Sequence, residues 1–157
     1  MGKFGKRAQI SLDLPMKSPP WVDGLGDHGV MELRVLTDRL SVCRLLPGDP
    51  WPTPPVGTSF FSATRTQDEI SVVCEEDAAP TGDHVKVEPD WRALEVVGPL
   101  DFSMVGVMST LTAPLADVDV SVFVVSTYDT DYILVHAAAL ERAIDVLRAE
   151  GHAVHAA

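Results

Sequence analysis

A chain of 157 residues, 46% of them hydrophobic, can bury one sizeable core, or two small units sharing one, and is too apolar for wholesale disorder. Its formal net charge of −11 argues against a nucleic-acid partner, because phosphate binding calls for clustered Lys and Arg. No apolar run approaches bilayer length, and the two cysteines lack metal-knuckle spacing, so the expectation is a soluble, cytoplasmic chain with no membrane partner and no metal.

Residues 1–28 mix Lys, Pro, Gly and Asp without periodicity and predict a poorly ordered arm, without the continuous apolar stretch of a secretory signal. Order is expected from near Val30. Glu32–Leu36 and Leu40–Leu46 read as strands separated by a Thr37-Asp38 turn. Five prolines in Pro47–Gly57 then forbid a helix and leave an extended or turning connection, with Trp51 placed as a lid over a core edge or, alternatively, as an aromatic wall of a pocket. Cys43 and Cys74 sit in apolar runs, where free, buried thiols are expected.

After the prolines the sequence repeats. Displacing Phe60–Val72 by 63 residues lays it on Phe123–Val135, matching Phe60 to Phe123, Thr64 to Thr127, Asp68 to Asp131, Ile70 to Ile133 and Val72 to Val135. The match implies two copies of one structural unit. In the second, Trp91–Val97 is a strand that Gly98-Pro99 ends. Asp101 or Ser103 is positioned to cap the next helix, Gly106 lies in its first turns, and Val105, Met108, Leu111 and Leu115 form its apolar stripe. Pro114 predicts that this helix stops or bends near Leu111–Ala113. Val120–Val125 and Tyr132–Val135 form a hairpin around a polar centre, Ser126 to Asp131. A last helix, Ala137–Glu150, sets Leu140, Ala143, Ile144 and Leu147 on one face before Gly151, and His152–Val154 adds an edge strand.

The second unit therefore reads β-α-β-β-α-β, and the fold class is α+β: two ferredoxin-like units with antiparallel sheets and helices on one face. The first is reduced, the prolines replacing one helix and Glu75–Ala79 the other. The expected division is arm 1–28, reduced unit 29–88 and full unit 89–157.

The stretch GPLDFSMVGVMSTLTAPLADVDVSVFVVSTYDTDYILV resembles the effector-binding core of ACT domains, with features of the aspartate-kinase branch and of the CASTOR arginine sensors and their small bacterial relatives. The resemblance is sharpest at STYDTDYILV, and continues more weakly through LSVCRL and FFSATRTQDEISVV of the first unit. It implies a regulatory module binding an amino acid between ACT units or at a homodimer interface, answering to an unidentified downstream protein. Carried over, the ligand segments are Pro99–Met104, hence Leu100, Asp101, Phe102, Ser103 and Met104, and Ser126, Thr127, Tyr128, Asp129, Thr130 and Asp131. In the arginine-sensing branch the last of these, Asp131, faces a cationic ligand, so a basic amino acid is among the candidates. No kinase domain is present in the sequence, and no catalysis or cofactor is expected.

The chemistry of these residues agrees. Free N–H groups at a helix start near Ser103 suit a ligand carboxylate. Asp129 or Asp131 suits its ammonium or a basic side chain. Ser126, Thr127 and Thr130 add hydroxyls, and Tyr128 an apolar wall with a polar tip. The alternative is a structural or protein-interaction module whose hairpin holds no ligand. No G-x-S-x-G, P-loop or dinucleotide fingerprint occurs. Glu75-Glu76-Asp77 reads as a solvated turn, Arg44 and Arg65 as surface groups, and His152 and His155 lack partners for a metal site.

Overall fold

The computed structural model describes residues 30–156; the arm expected over 1–28 lies outside them. Eight strands run β1 (Glu32–Val35), β2 (Leu40–Leu45), β3 (Ser62–Arg65), β4 (Ile70–Glu75), β5 (Lys86–Val96), β6 (Val122–Ser126), β7 (Asp131–His136) and β8 (Ala153–His155). Two helices, α1 (Val107–Asp117) and α2 (Leu140–Ala149), interrupt the second half. All strand pairs are antiparallel except β1 with β8.

The longest strand joins the two units. The first half of β5 pairs with β2, closing the reduced unit in the order β5-β2-β4-β3. Its second half pairs with β7 and β1, in the order β6-β7-β5-β1-β8. The strand thus runs through the expected 88/89 boundary. Strands β1 and β2 succeed each other along β5 rather than pairing together, because Leu33 and Val35 face the helices while Leu40 serves the other side of the sheet.

Alternation sorts the side chains. Leu33, Val35, Leu94, Val96, Ile133 and Val135 face α1 and α2, which contribute Val107, Leu111, Leu115, Leu140, Ala143, Ile144 and Leu147. Both helices therefore lie on one face. On the opposite face Trp91, Ala93 and Leu134 of the full unit pack with Leu40, Val73 and Phe60 of the reduced one, so the units share this core. A third cluster, Cys43, Leu45, Ile70, Val72 and Cys74, lies on the remaining face of the reduced unit. Both cysteines are free and buried, as expected.

The expected brace of α2 is present. Gly151 adopts φ 92°, and the amides of Gly151 and His152 donate to the carbonyls of Arg148 and Leu147, a Schellman ending that satisfies the last turn.

Three expectations need correction. Helix α1 begins at Val107, not near Ser103: Gly106 is its N-cap, at φ 84°, and neither Asp101 nor Ser103 caps it. Val105 is consequently outside the helix and exposed. Of the stop or bend expected at Pro114, the stop does not occur; α1 runs to Asp117. An interior proline costs about 3 kcal/mol, but burying Val107, Leu111 and Leu115 returns roughly 1.5–3 kcal/mol each, so packing wins. The repeat is real in structure but displaced by 61 residues, not 63. Arg65 opposes Ile70 as Ser126 opposes Asp131, and the 3₁₀ turn Glu76–Ala78 answers Ala137–Ala139. A two-residue slip preserves which face each side chain occupies, and hence the apolar pattern that suggested 63.

Candidate functional site

Two turns meet at one end of the full unit. Between β6 and β7, the Thr127 amide donates to the Thr130 carbonyl at 2.8 Å, and the Thr130 amide donates back to the Thr127 hydroxyl at 3.2 Å, leaving Tyr128 and Asp129 at the tip. The buried Thr130 hydroxyl donates to the Val96 carbonyl of β5. After β5, the Leu100 amide donates to the Asp129 carbonyl at 2.7 Å, tying the two turns together.

Gly98 allows that tie. A Cβ on it would lie 2.7 Å from the Asp129 carbonyl oxygen and 3.2 Å from the Thr130 Cβ. Next, the Asp101 carboxylate accepts the Ser103 amide at 2.7 Å, and the Asp101 carbonyl accepts the Met104 amide at 2.9 Å. This local turn is complete before the helix begins at Val107. Hydrogen bonds from the Ser103 hydroxyl and amide hold the Asp101 carboxyl below its usual range.

Because its N-cap is the left-handed Gly106, which carries no side chain, α1 starts with no side-chain cap. Its first residues line a pocket of about 350 Å³ together with both turns. The pocket takes in ten of the eleven sequence-predicted residues: Leu100, Asp101, Phe102, Met104, Ser126, Thr127, Tyr128, Asp129, Thr130 and Asp131. Ser103 is not among the lining residues.

The remaining lining residues are Gly106, Val107, Met108 and Ser109, which sequence reasoning missed because it began the helix at Ser103. The usable signal was Gly106 itself, since a glycine between β-branched residues can mark a left-handed break as well as a weak helical position.

Not all expected contacts remain open to a ligand. The Thr127 and Thr130 hydroxyls are committed to the Thr130 and Val96 carbonyls. Ser109 donates its hydroxyl to the Gly106 carbonyl. Asp129 and Asp131 have no ion-pair or side-chain hydrogen-bond partner among the described residues. With Asp101 they give the pocket three carboxylates, and among the described residues no Lys, Arg or His lines it. At the mouth, Phe102 and Tyr128 are 76% and 79% exposed and meet edge to face, ring centroids 5.1 Å apart. The arrangement sets a helix start, positive by its dipole, against an acidic turn. That combination fits a zwitterion.

Among the described residues no helix is long and apolar enough to cross a membrane, and no group of three or more His, Cys, Asp or Glu is placed to hold a metal ion.

Comparison with known proteins extends these observations. An ACT domain family model matches residues 86–149, and a second model, of an N-terminal domain, matches residues 38–82. The crystal structure of protein Atu0741 from Agobacterium tumefaciens is 33% identical, with a TM-score of 0.74, over 82% of this chain and 95% of its own. Cattle "Cytosolic arginine sensor for mTORC1 subunit 1" is 32% identical over 100 residues, which are 58% of this chain and 30% of that protein. The chain spans about half or less of the length of the curated relatives it matches. In fold alone, at 12% identity and a TM-score of 0.59, it is similar to the regulatory subunit of aspartate kinase from Thermus flavus, over 78% of this chain and 99% of that one.

Proposed function

Residues 86–149 match the ACT domain family, and from that premise we propose that the chain is a regulatory amino-acid-binding module whose ligand occupies the pocket between α1 and the β6–β7 turn. One observation carries the reading: an uncapped helix start and an acid-bearing turn line the same 350 Å³ space. The ligand carboxylate meets the first amides of α1, where free N–H groups and the helix dipole favour an anion. Asp129 and Asp131 accept from the ammonium and from a basic side chain in charge-assisted bonds. With three carboxylates and, among the described residues, no cation in the lining, a basic amino acid is favoured over an acidic one. The cattle relative's name, an arginine sensor, points the same way.

In this reading the full unit, 89–157, binds and the reduced unit, 29–88, braces it through the shared core. The protein performs no catalysis, acts in the cytoplasm, works as a homodimer and passes the signal to a downstream protein. Phe102 and Tyr128, exposed at the mouth, lie where a second chain or a moving loop would cover the ligand.

Calorimetry and thermal shift against the twenty amino acids test the proposal. A ligand that binds only the native state raises stability by about 2.7 kcal/mol at a hundredfold excess over its Kd. Saturable binding of a basic amino acid, abolished in Asp131→Ala, is expected. Silence across the panel would transfer the weight to a scaffold without ligand, a role that the edge strands β3 and β6, each paired on one side only, would also serve.

A further inference from the structure

We propose that the reduced unit holds a second, independent binding site, for a small uncharged aromatic molecule, beneath the proline segment Pro47–Gly57. In the full unit the equivalent sheet face is filled by α1 and α2, which bury seven side chains on it. The reduced unit has a proline strap and one 3₁₀ turn in their place. Proline rings are too short to fill a helix's volume, and a pocket of about 280 Å³ remains between strap and sheet. That is near the lower end of the roughly 300–1,000 Å³ usual for ligand pockets.

The lining defines the ligand. Its floor is Leu45, Val72 and Cys74 of the central strands, all buried, and Phe61 and Trp51 provide aromatic walls. Although 22% of the chain is charged, none of the described residues that line the pocket is. A charged molecule would lose its hydration there without a partner, so the occupant is neutral. The Thr53 hydroxyl, the Trp51 indole N–H and the Cys74 thiol are the polar side-chain groups of the lining, and the Thr53 hydroxyl can accept from one small donor such as a ring N–H.

The frame is held before any ligand arrives. The Leu46 amide donates to Asp49 Oδ2 at 2.9 Å, and His84 Nε2 lies 3.0 Å from the same oxygen. At the other end of the strap, Glu75 Oε1 accepts the Thr58 hydroxyl and the Ser59 amide, both at 2.9 Å. The Arg65 guanidinium sits 5.4 Å from the Trp51 ring centroid, steadying a wall that is 51% exposed. A pinned wall reduces the ordering cost of binding.

Indole is the probe, followed by amide chemical shifts of the whole chain and by saturation-transfer NMR. The expected result is saturable binding with shifts at Val72, Cys74 and Ala78. Indole-3-acetate, the same ring bearing a carboxylate, should bind about tenfold weaker or worse. Ala78→Phe, which puts a ring into the pocket, should weaken indole by about tenfold, while Asp131→Ala leaves indole binding unchanged. The two sites are thereby judged separately. Shifts concentrated at Val107 and Thr130, no saturation up to the solubility of indole, or equal binding of indole-3-acetate would overturn the proposal. Should Ala78→Phe fail to fold, the shift map of the unaltered chain decides.

Discussion

Replacing Gly98 by alanine tests whether the two turns of the ligand pocket depend on their close approach. The added Cβ falls 2.7 Å from the Asp129 carbonyl oxygen, a backbone atom fixed by the hairpin, and 3.2 Å from the Thr130 Cβ. Neither neighbour is the free end of a flexible chain, so the turns must separate. Separation strains or breaks the 2.7 Å bond from the Leu100 amide to Asp129, worth about 1 kcal/mol, and adds an overpacking cost of about 1–3 kcal/mol. Against this, alanine stiffens the unfolded chain and returns about 0.4–1 kcal/mol. The sum is a loss of about 1–3.5 kcal/mol, which at roughly 2–4 °C per kcal/mol lowers the melting temperature by about 2–14 °C. Thermal unfolding by circular dichroism reads the first quantity, and calorimetric titration with the amino-acid ligand reads the second, which should fall with it. A variant that melts within a degree of the parent and binds equally well would refute the argument, since steric contact at this distance leaves no neutral outcome.

Two further substitutions address the helix that borders the pocket. Ser103→Ala removes the hydroxyl that helps hold the Asp101 carboxyl low, so the Asp101 pKa should rise toward the ordinary carboxylate range in an NMR titration. A carboxyl depressed in the folded state contributes stability above its unfolded pKa and loses it as pH falls through the folded value, so the variant should show a shallower acid limb; an unmoved titration would contradict the assignment. Pro114→Ala restores a backbone donor for the Thr110 carbonyl within α1. The helix gain of about 3 kcal/mol, less the unfolded-state stiffness that proline supplied and the contacts of a half-buried ring, leaves about 1–2 kcal/mol of stabilisation in chemical denaturation. A destabilised variant would show that the proline ring itself carries packing that alanine cannot replace.

The sequence was most informative where a single local pattern suffices. Leu140, Ala143, Ile144 and Leu147 are buried along one face of α2, and Gly151 ends that helix in the left-handed conformation its position suggested. The hairpin centre, Ser126 to Asp131, also stands where its polarity placed it, at the mouth of a pocket. Legibility fell where two readings share one pattern. Asp101 satisfies the grammar of a helix cap and of a free-standing turn equally, and the residues just downstream decide between them: here a left-handed Gly106 postpones the helix to Val107. That α1 continues past Pro114 was not legible, because the cost of the proline is local whereas the compensating burial of Leu111 and Leu115 is tertiary. Likewise no residue in Glu32–Val35 announces that this short strand will lie between β5 and β8, both of them distant in sequence.

That last placement bears on how the molecule can be taken apart. Because β1 supplies the rail between β5 and β8, a fragment starting at Trp91 would begin life with a missing slat: the Leu94–Val96 edge on one side, the Val154 edge on the other, and open backbone donors and acceptors facing each other across the gap. The same eleven-residue strand also ends the first repeat and begins the second, so a cut between them deprives both pieces at once. The chain carries two copies of one motif, joined through β5 so that neither is whole without the other.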